Sequence, residues 1–455
     1  NRLPGVLMFL LVALKGWGAA QDCTESSIPD SWDCSDRRLT SVPQDLPANI
    51  TGLNLGHNYI STLSQSDFSL YRRLETLELS YNPISAINIQ AFYYLSNLTT
   101  LSLYNCRPII LRPDMFTGLG NLEKLYLNRN YLNDIPAGIF STVSEVSTLY
   151  LSDNMLRDLR SNMFTGLGNL EELWLDNNEI SDLQGGTFSS TPQLRSLYLS
   201  NNKLTILRSD MFTGLGNLQY ISLNNNEISD IPAETLSTTQ LRTLTMYGNK
   251  LTTLRADMFT GLRNLTDIHL QRNDITEIEA GTFSSNPELS DLHLPSNHIQ
   301  SIPSNLLANL LQLKYLRFSN NNMTTFPFKD LPGLQKLTAF EVDNNQLTTL
   351  SSVVHDILVN ISLRGHVRVQ NNPFQCCSML DFKLKMIPDP DYFFESLIVC
   401  DKPSQFRGQK LEDLSPADLT SDPECIKLNG SNALVGSVYG VVAGTIFMVV
   451  IFLMT

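Results

Sequence analysis

One spacing governs this chain. The unit L-x-x-L-x-L-x-x-N-x-L begins at Ile50, Leu74, Leu98, Leu122, Val146, Leu170, Leu194, Leu218, Leu241, Leu265, Leu289, Leu313 and Leu337. Every step is 24 residues except one of 23, between Leu218 and Leu241. Self-similarity at such a period means stacked units, none of which can bury its apolar face alone. The L-x-L core alternates with period two, so it reads as a short strand with one buried face. Parallel strands on successive turns stack about 4.8 Å apart, so thirteen turns predict an arc of roughly 60 Å.

Each recurring slot has a physical task. The polar slot holds Asn58, Asn82, Asn130, Asn154, Asn178, Asn202, Asn226, Asn249, Asn273, Asn297, Asn321 and Asn345. A buried amide needs partners, and a stacked ladder lets each one bond the backbone of neighbouring turns. Cys106 takes this slot once and reads as a buried free thiol. Phe68, Phe92, Phe116, Phe140, Phe164, Phe188, Phe212, Phe259 and Phe283 form a return-side spine, with Leu236, Leu307 and Leu331 continuing it. The bulkier return side predicts curvature with the strands on the concave face. Exposed end turns require caps.

These slots resemble the leucine-rich-repeat family over residues 50–360. The expected fold is therefore α/β: a single curved solenoid with a parallel concave sheet and disulfide-stapled caps. Cys23 and Cys34 precede the first repeat, and V-x-V-x-x-N-P-F leads into Cys376, Cys377, Cys400 and Cys425. Four cysteines allow three connectivities. The resemblance extends to the caps of secreted members, whose pattern implies Cys376–Cys400 and Cys377–Cys425. Disulfides imply an oxidising compartment.

Both ends read as processing signals. Arg2, the apolar run Leu3 to Leu14, and the small residues Gly18 and Ala20 predict a signal peptide over residues 1–20, cleaved before Gln21. No residue after Lys427 is charged. Asn429, Gly430 and Ser431 suit a lipidation site, residues 432–440 a spacer, and Val441 to Thr455 an apolar tail, as in a glycolipid-anchor signal. A terminal transmembrane span is the alternative. The expected order is signal peptide 1–20, N-terminal cap 21–49, repeats 50–360, C-terminal cap 361–428 and anchor signal 429–455. The sequons at Asn49, Asn97, Asn264, Asn322 and Asn360 are candidate glycan sites, and the one at Asn429 overlaps the lipid site.

Composition narrows the partners. Lys and Arg total 32 and Asp and Glu 45, a formal charge of −13 with no basic block. That balance disfavours nucleic acid, which needs clustered cations. No catalytic or cofactor fingerprint is present, so neither an enzyme nor a cofactor is expected.

The third, fifth, seventh and eighth strand positions point out of the sheet. The fifth reads Asn54, Glu78, Ser102, Tyr126, Tyr150, Trp174, Tyr198, Ser222, Thr245, His269, His293, Arg317 and Glu341. Neighbouring columns add Tyr104, Tyr220, Tyr247 and Tyr315, among the charged Lys124, Arg129, Asp153, Glu172 and Asp176. Tyr and Trp bring large contact area with few rotatable bonds, as in paratopes and hot spots. The alternative is cross-strand stacking that only stabilises the sheet. Asp267, His269, Asp291 and His293 on two rungs could meet zinc or confer pH dependence, but four solvated residues is the simpler reading, and no metal is expected. L-R-x-[DN]-M-F-T-G-L recurs in every second repeat, so Arg112, Arg160, Arg208 and Arg255 share one line, read as a solvated Arg/Asp edge.

Signal peptide, capped repeats, aromatic concave face and anchor-like tail together resemble the variable lymphocyte receptors of jawless vertebrates and related chordate receptors. The resemblance implies an immune receptor at the outer face of the plasma membrane, binding protein, glycan or microbial-surface ligands. Rival readings are a cell-adhesion or developmental receptor and a Toll-like ectodomain.

Overall fold

The computed structural model describes residues 23–106, 109–385 and 398–430. The expected signal peptide, the anchor tail beyond residue 430 and the side chain of Asn429 lie outside the described residues. The chain is a β-solenoid with a parallel sheet, and it forms two compact units. The first holds the described residues up to Thr252 together with Asp257–Asn273, and the second holds Thr253–Ala256 and the described residues from Asp274 onward.

In the first unit each repeat supplies a three-residue strand centred on the first leucine of L-x-L, such as Glu172–Trp174, and successive strands pair in parallel one repeat apart. Leu173 faces Leu149 on one side and Leu197 on the other. The inward leucines are buried, as are Phe68 through Phe259 of the spine. Rings on neighbouring turns meet, tilted by 30° at 6.0 Å for Phe68–Phe92 and stacked at 6.1 Å for Phe164–Phe188.

The asparagine ladder joins the turns. The Asn178 amide nitrogen donates to the Leu151 and Leu175 carbonyls, at 3.0 Å each, and its oxygen accepts from Leu156 N at 3.1 Å. Cys106 is buried and unbridged, with Sγ 3.1 Å from the Leu79 carbonyl. Gly166 returns the chain at φ 102°, where an added Cβ would stand 2.7 Å from the Phe140 carbonyl oxygen of the preceding turn. Only glycine adopts that conformation this close to another backbone. At the start, Thr24–Glu25 pairs antiparallel with Ser31–Asp33, which runs parallel to Gly52–Asn54, and Cys23–Cys34 closes the cap.

The second unit carries strands Asp291–His293, Tyr315–Arg317, Ala339–Glu341 and His366–Arg368 in parallel order. The last of these lies within residues 361–428, and Asn372 extends the ladder there by accepting from Leu347 N at 2.9 Å. Helix His355–Ser362 fills the return side. Cys376–Cys400 and Cys377–Cys425 close the cap, in the pairing that the family resemblance implied.

Candidate ligand-binding face

The fifth-position aromatics of the first unit come together. Tyr126 and Tyr150 stack at 4.3 Å and 6°, Tyr150 and Trp174 at 5.6 Å and 24°, and Trp174 and Tyr198 at 3.6 Å and 10°. Tyr220, one rung on in the third column, leans on Tyr198 at 5.1 Å and 42°. The strand register produces this: residues at equal positions sit one rung apart, about the thickness needed for offset stacking. Ring faces are therefore spent on each other, and ring edges and phenol groups point outward. Burial, with Tyr126 and Glu172 beside it, pushes the Tyr150 phenol to about 12, so it stays neutral. Trp174 Nε1 is buried without an acceptor. A buried donor left unpaired costs about 1–3 kcal/mol, which calls for an explanation beyond packing.

Glu172 and Asp176 flank Trp174 in the third and seventh columns. Asp176 Oδ1 accepts from Ser200 N at 2.7 Å. Burial raises its carboxyl above the ordinary aspartate value, more than the Ser200 hydrogen bonds draw it down. Behind it, Ser200 and Ser222 hydroxyls meet at 2.5 Å and Asn224 donates to Ser222 at 2.8 Å. This polar column is self-satisfied and holds the rungs in register.

Tyr104, Arg129 and Asp153 belong to a separate row along the edge of the sheet. His57 stacks on Tyr81 at 4.1 Å, and Tyr81 meets Tyr104 edge-on at 5.3 Å. The Arg129 guanidinium stands 5.6 Å from the Tyr104 ring centre and donates to Asp153 at 3.3 Å. Sequence reasoning missed His57 and Tyr81. The eighth position is left-handed on rung after rung: φ is 55° at His57, 58° at Tyr81, 60° at Arg129, 56° at Asn177 and 51° at Asn225. Asn tolerates that region; bulky residues rarely do. An aromatic in a column of asparagines was the signal.

The remaining candidates are divided between the two units. Tyr247 is half-buried, and its backbone N–H donates to Asn224 at 3.0 Å. His269 lies in the first unit, Asp291 and His293 in the second. Arg160 and Arg208 do more than line an edge: they reach Asp134 and Asp182 at 2.7 and 2.6 Å, and the Ile135 and Leu183 carbonyls, each on the preceding turn. In the second unit Arg317 bridges Asp291 at 3.0 Å and Glu341 at 3.3 Å, and His366 meets Glu341 at 2.7 Å. Asn49, Asn97, Asn264, Asn322 and Asn360 are all exposed.

Known proteins agree with this architecture. The leucine rich repeat family model matches residues 72–132, 120–180, 168–228, 239–299 and 287–347. Human Toll-like receptor 3 is 47% identical over 55 residues, which is 12% of this chain and 6% of that protein. The solved TLR13–ssRNA13 complex superimposes with a TM-score of 0.71 at 25% identity, covering 84% of this chain and 55% of that one. A chain of the octameric complex of Latrophilin 3, Unc5D and FLRT2 gives a TM-score of 0.54 at 20% identity, covering 88% and 99%. This chain thus spans a small part of its curated relative and about half of the first structural neighbour, while the last likeness shows the fold alone. With the family model matching more than half its length, the chain belongs to the leucine-rich-repeat family.

Proposed function

We propose that this protein is a cell-surface recognition receptor whose ligand docks on the open sheet face of the first unit, over Tyr126, Tyr150, Trp174, Tyr198 and Tyr220. One observation carries the reading: a half-exposed aromatic stack that leaves a buried indole donor unpaired. Packing alone supplies no reason to keep that donor. Rigid aromatic area is what hot spots are made of.

The role best in keeping with this face is immune recognition, of the kind that variable lymphocyte receptors and Toll-like receptors perform. Ligand classes in scope are proteins, glycans and microbial-surface molecules. A role in adhesion is the second reading. Nucleic acid, which the TLR13 structure holds, fits poorly here: the charge is −13 and the ring faces inside the stack are occupied. The location in this reading is the outer face of the plasma membrane, held by a glycolipid anchor. No described helix is long and apolar enough to cross a membrane. Release from cells by a phosphatidylinositol-specific phospholipase tests the anchor. Screening the purified protein against microbial surfaces and host surface proteins separates the two roles: microbial hits support immune recognition, and an endogenous surface protein alone supports adhesion.

A further inference from the structure

Along eight successive rungs of the first unit the fifth position reads Glu78, Ser102, Tyr126, Tyr150, Trp174, Tyr198, Ser222 and Thr245. Inside the stack both faces of each ring are taken. A planar group could enter only by parting two hydrogen-bonded rungs. The Tyr198 end is closed by Tyr220. At the other end the next residue is Ser102, which is buried, with its hydroxyl 2.7 Å from that of Ser80. No other aromatic ring stacks on Tyr126 among the described residues. One rung further stands Glu78. Two rungs separate Tyr126 from Glu78 by roughly 9.6 Å, room for one planar group between them.

The walls of this notch differ in character. One is the electron-rich face of a phenol. The other is a carboxylate whose Oε1 accepts from Ser80 N at 2.6 Å, and no basic side chain pairs with it among the described residues. A neutral aromatic ring would turn its negative face toward that carboxylate. A guanidinium satisfies both walls, since it is planar, stacks on aromatic faces and donates in a fork to carboxylates.

We infer that the notch formed by Glu78, Ser102 and Tyr126 seats one arginine side chain of a protein ligand. The guanidinium lies over Tyr126 and donates to Glu78. The rest of the face agrees in sign: Glu172 and Asp176 also carry no basic partner among the described residues. Arg129 is already paired with Asp153. Lys124, exposed and two residues before Tyr126, is the like charge on that flank. Its removal should therefore tighten binding.

This inference rests on the open face being the ligand site, and the test separates the two. A random peptide library displayed on phage is selected against the purified full-length protein. The expected binders carry an arginine whose replacement by citrulline, planar and uncharged, weakens binding at least about tenfold. Glu78→Gln and Ser102→Phe should weaken them similarly, and Lys124→Met should strengthen them severalfold. Glu78→Gln keeps the Ser80 contact, so it serves if Ser102→Phe fails to fold. Binders lost with Trp174→Ala but indifferent to Glu78→Gln and to citrulline overturn the arginine seat and leave the face intact. Binders indifferent to all the variants overturn both. Retention on a neutral saccharide array, lost in Ser102→Phe, would make the notch a sugar seat and overturn the inference.

Discussion

Trp174 and Tyr198, one rung apart, lie face to face at 3.6 Å, whereas Tyr150 stands 5.6 Å from the other side of the indole and tilts by 24°. The indole is thus held between two rings, with its N–H unpaired. Each aromatic pair adds about 0.5–1.5 kcal/mol beyond area burial. Removing the unpaired N–H offsets the lost area burial, so Trp174→Ala should lower the unfolding free energy by about 1–3 kcal/mol without unfolding the chain. Urea denaturation followed by far-UV circular dichroism checks this. A loss near 5 kcal/mol would mean that the ring is core rather than surface.

Asp176 should behave as a charge held at a disadvantage. Burial raises its folded pKa above the ordinary value of 3.8, so the folded state binds the proton more tightly than the unfolded chain does. Stability from this group is present below 3.8 and is lost as pH rises through the raised folded value. Asp176→Asn keeps an oxygen for Ser200 N and removes the charge. Its urea midpoint should exceed that of the unsubstituted protein at neutral pH and converge on it at about pH 3. An equal gain at both pH values would mean that the charge is not the cause.

Asn178→Ala should be among the most damaging single changes. It leaves the buried Leu156 N–H without its acceptor and takes one of two donors from the Leu151 and Leu175 carbonyls, which keep Asn154 and Asn202. With about 1–3 kcal/mol for the unsatisfied N–H and about 0.5–1.5 kcal/mol for each of the two other lost bonds, a loss of at least about 2 kcal/mol is expected in chemical denaturation. A loss under about 1 kcal/mol would contradict the ladder's role.

Cys106 should be inert. Burial, opposed only in part by the Asn82 backbone hydrogen bond, pushes its thiol to about 12. The thiolate is the reactive form, so almost none exists at neutral pH. An aromatic disulfide reagent should label it only after denaturation, and labelling of the native protein within minutes would refute this. In the repeats on either side the slot is asparagine. Cys106→Asn should accordingly be tolerated, with its amide nitrogen placed to donate to the Leu79 and Leu103 carbonyls as Asn82 donates to those of Leu55 and Leu79.

Much of this was legible because a solenoid maps sequence position directly onto space. Equal slots fall one rung apart, so the fifth column by itself places Tyr126, Tyr150, Trp174 and Tyr198 on adjacent rungs. The caps were legible from cysteine spacing, with the C-terminal pairing supplied by family likeness. What escaped depended on geometry within a rung. The eighth position reads like any outward residue, but its left-handed backbone turns His57 and Tyr81 along the edge, where they gather Tyr104 and Arg129 away from the stack. The arginine line read as a solvated edge because spacing cannot reveal that Arg208 reaches back to the Leu183 carbonyl.

The claim that the stack is a binding face is tested most directly by the Tyr150→Ala, Trp174→Ala double variant. Wild-type and variant proteins are titrated against each hit from the microbial-surface and host-protein screen. Losing two hot-spot aromatics should weaken binding at least about 30-fold, the equivalent of about 2 kcal/mol, with the circular dichroism spectrum unchanged. Unchanged affinity in a folded double variant would contradict the account and leave the stack as a stabiliser of the sheet.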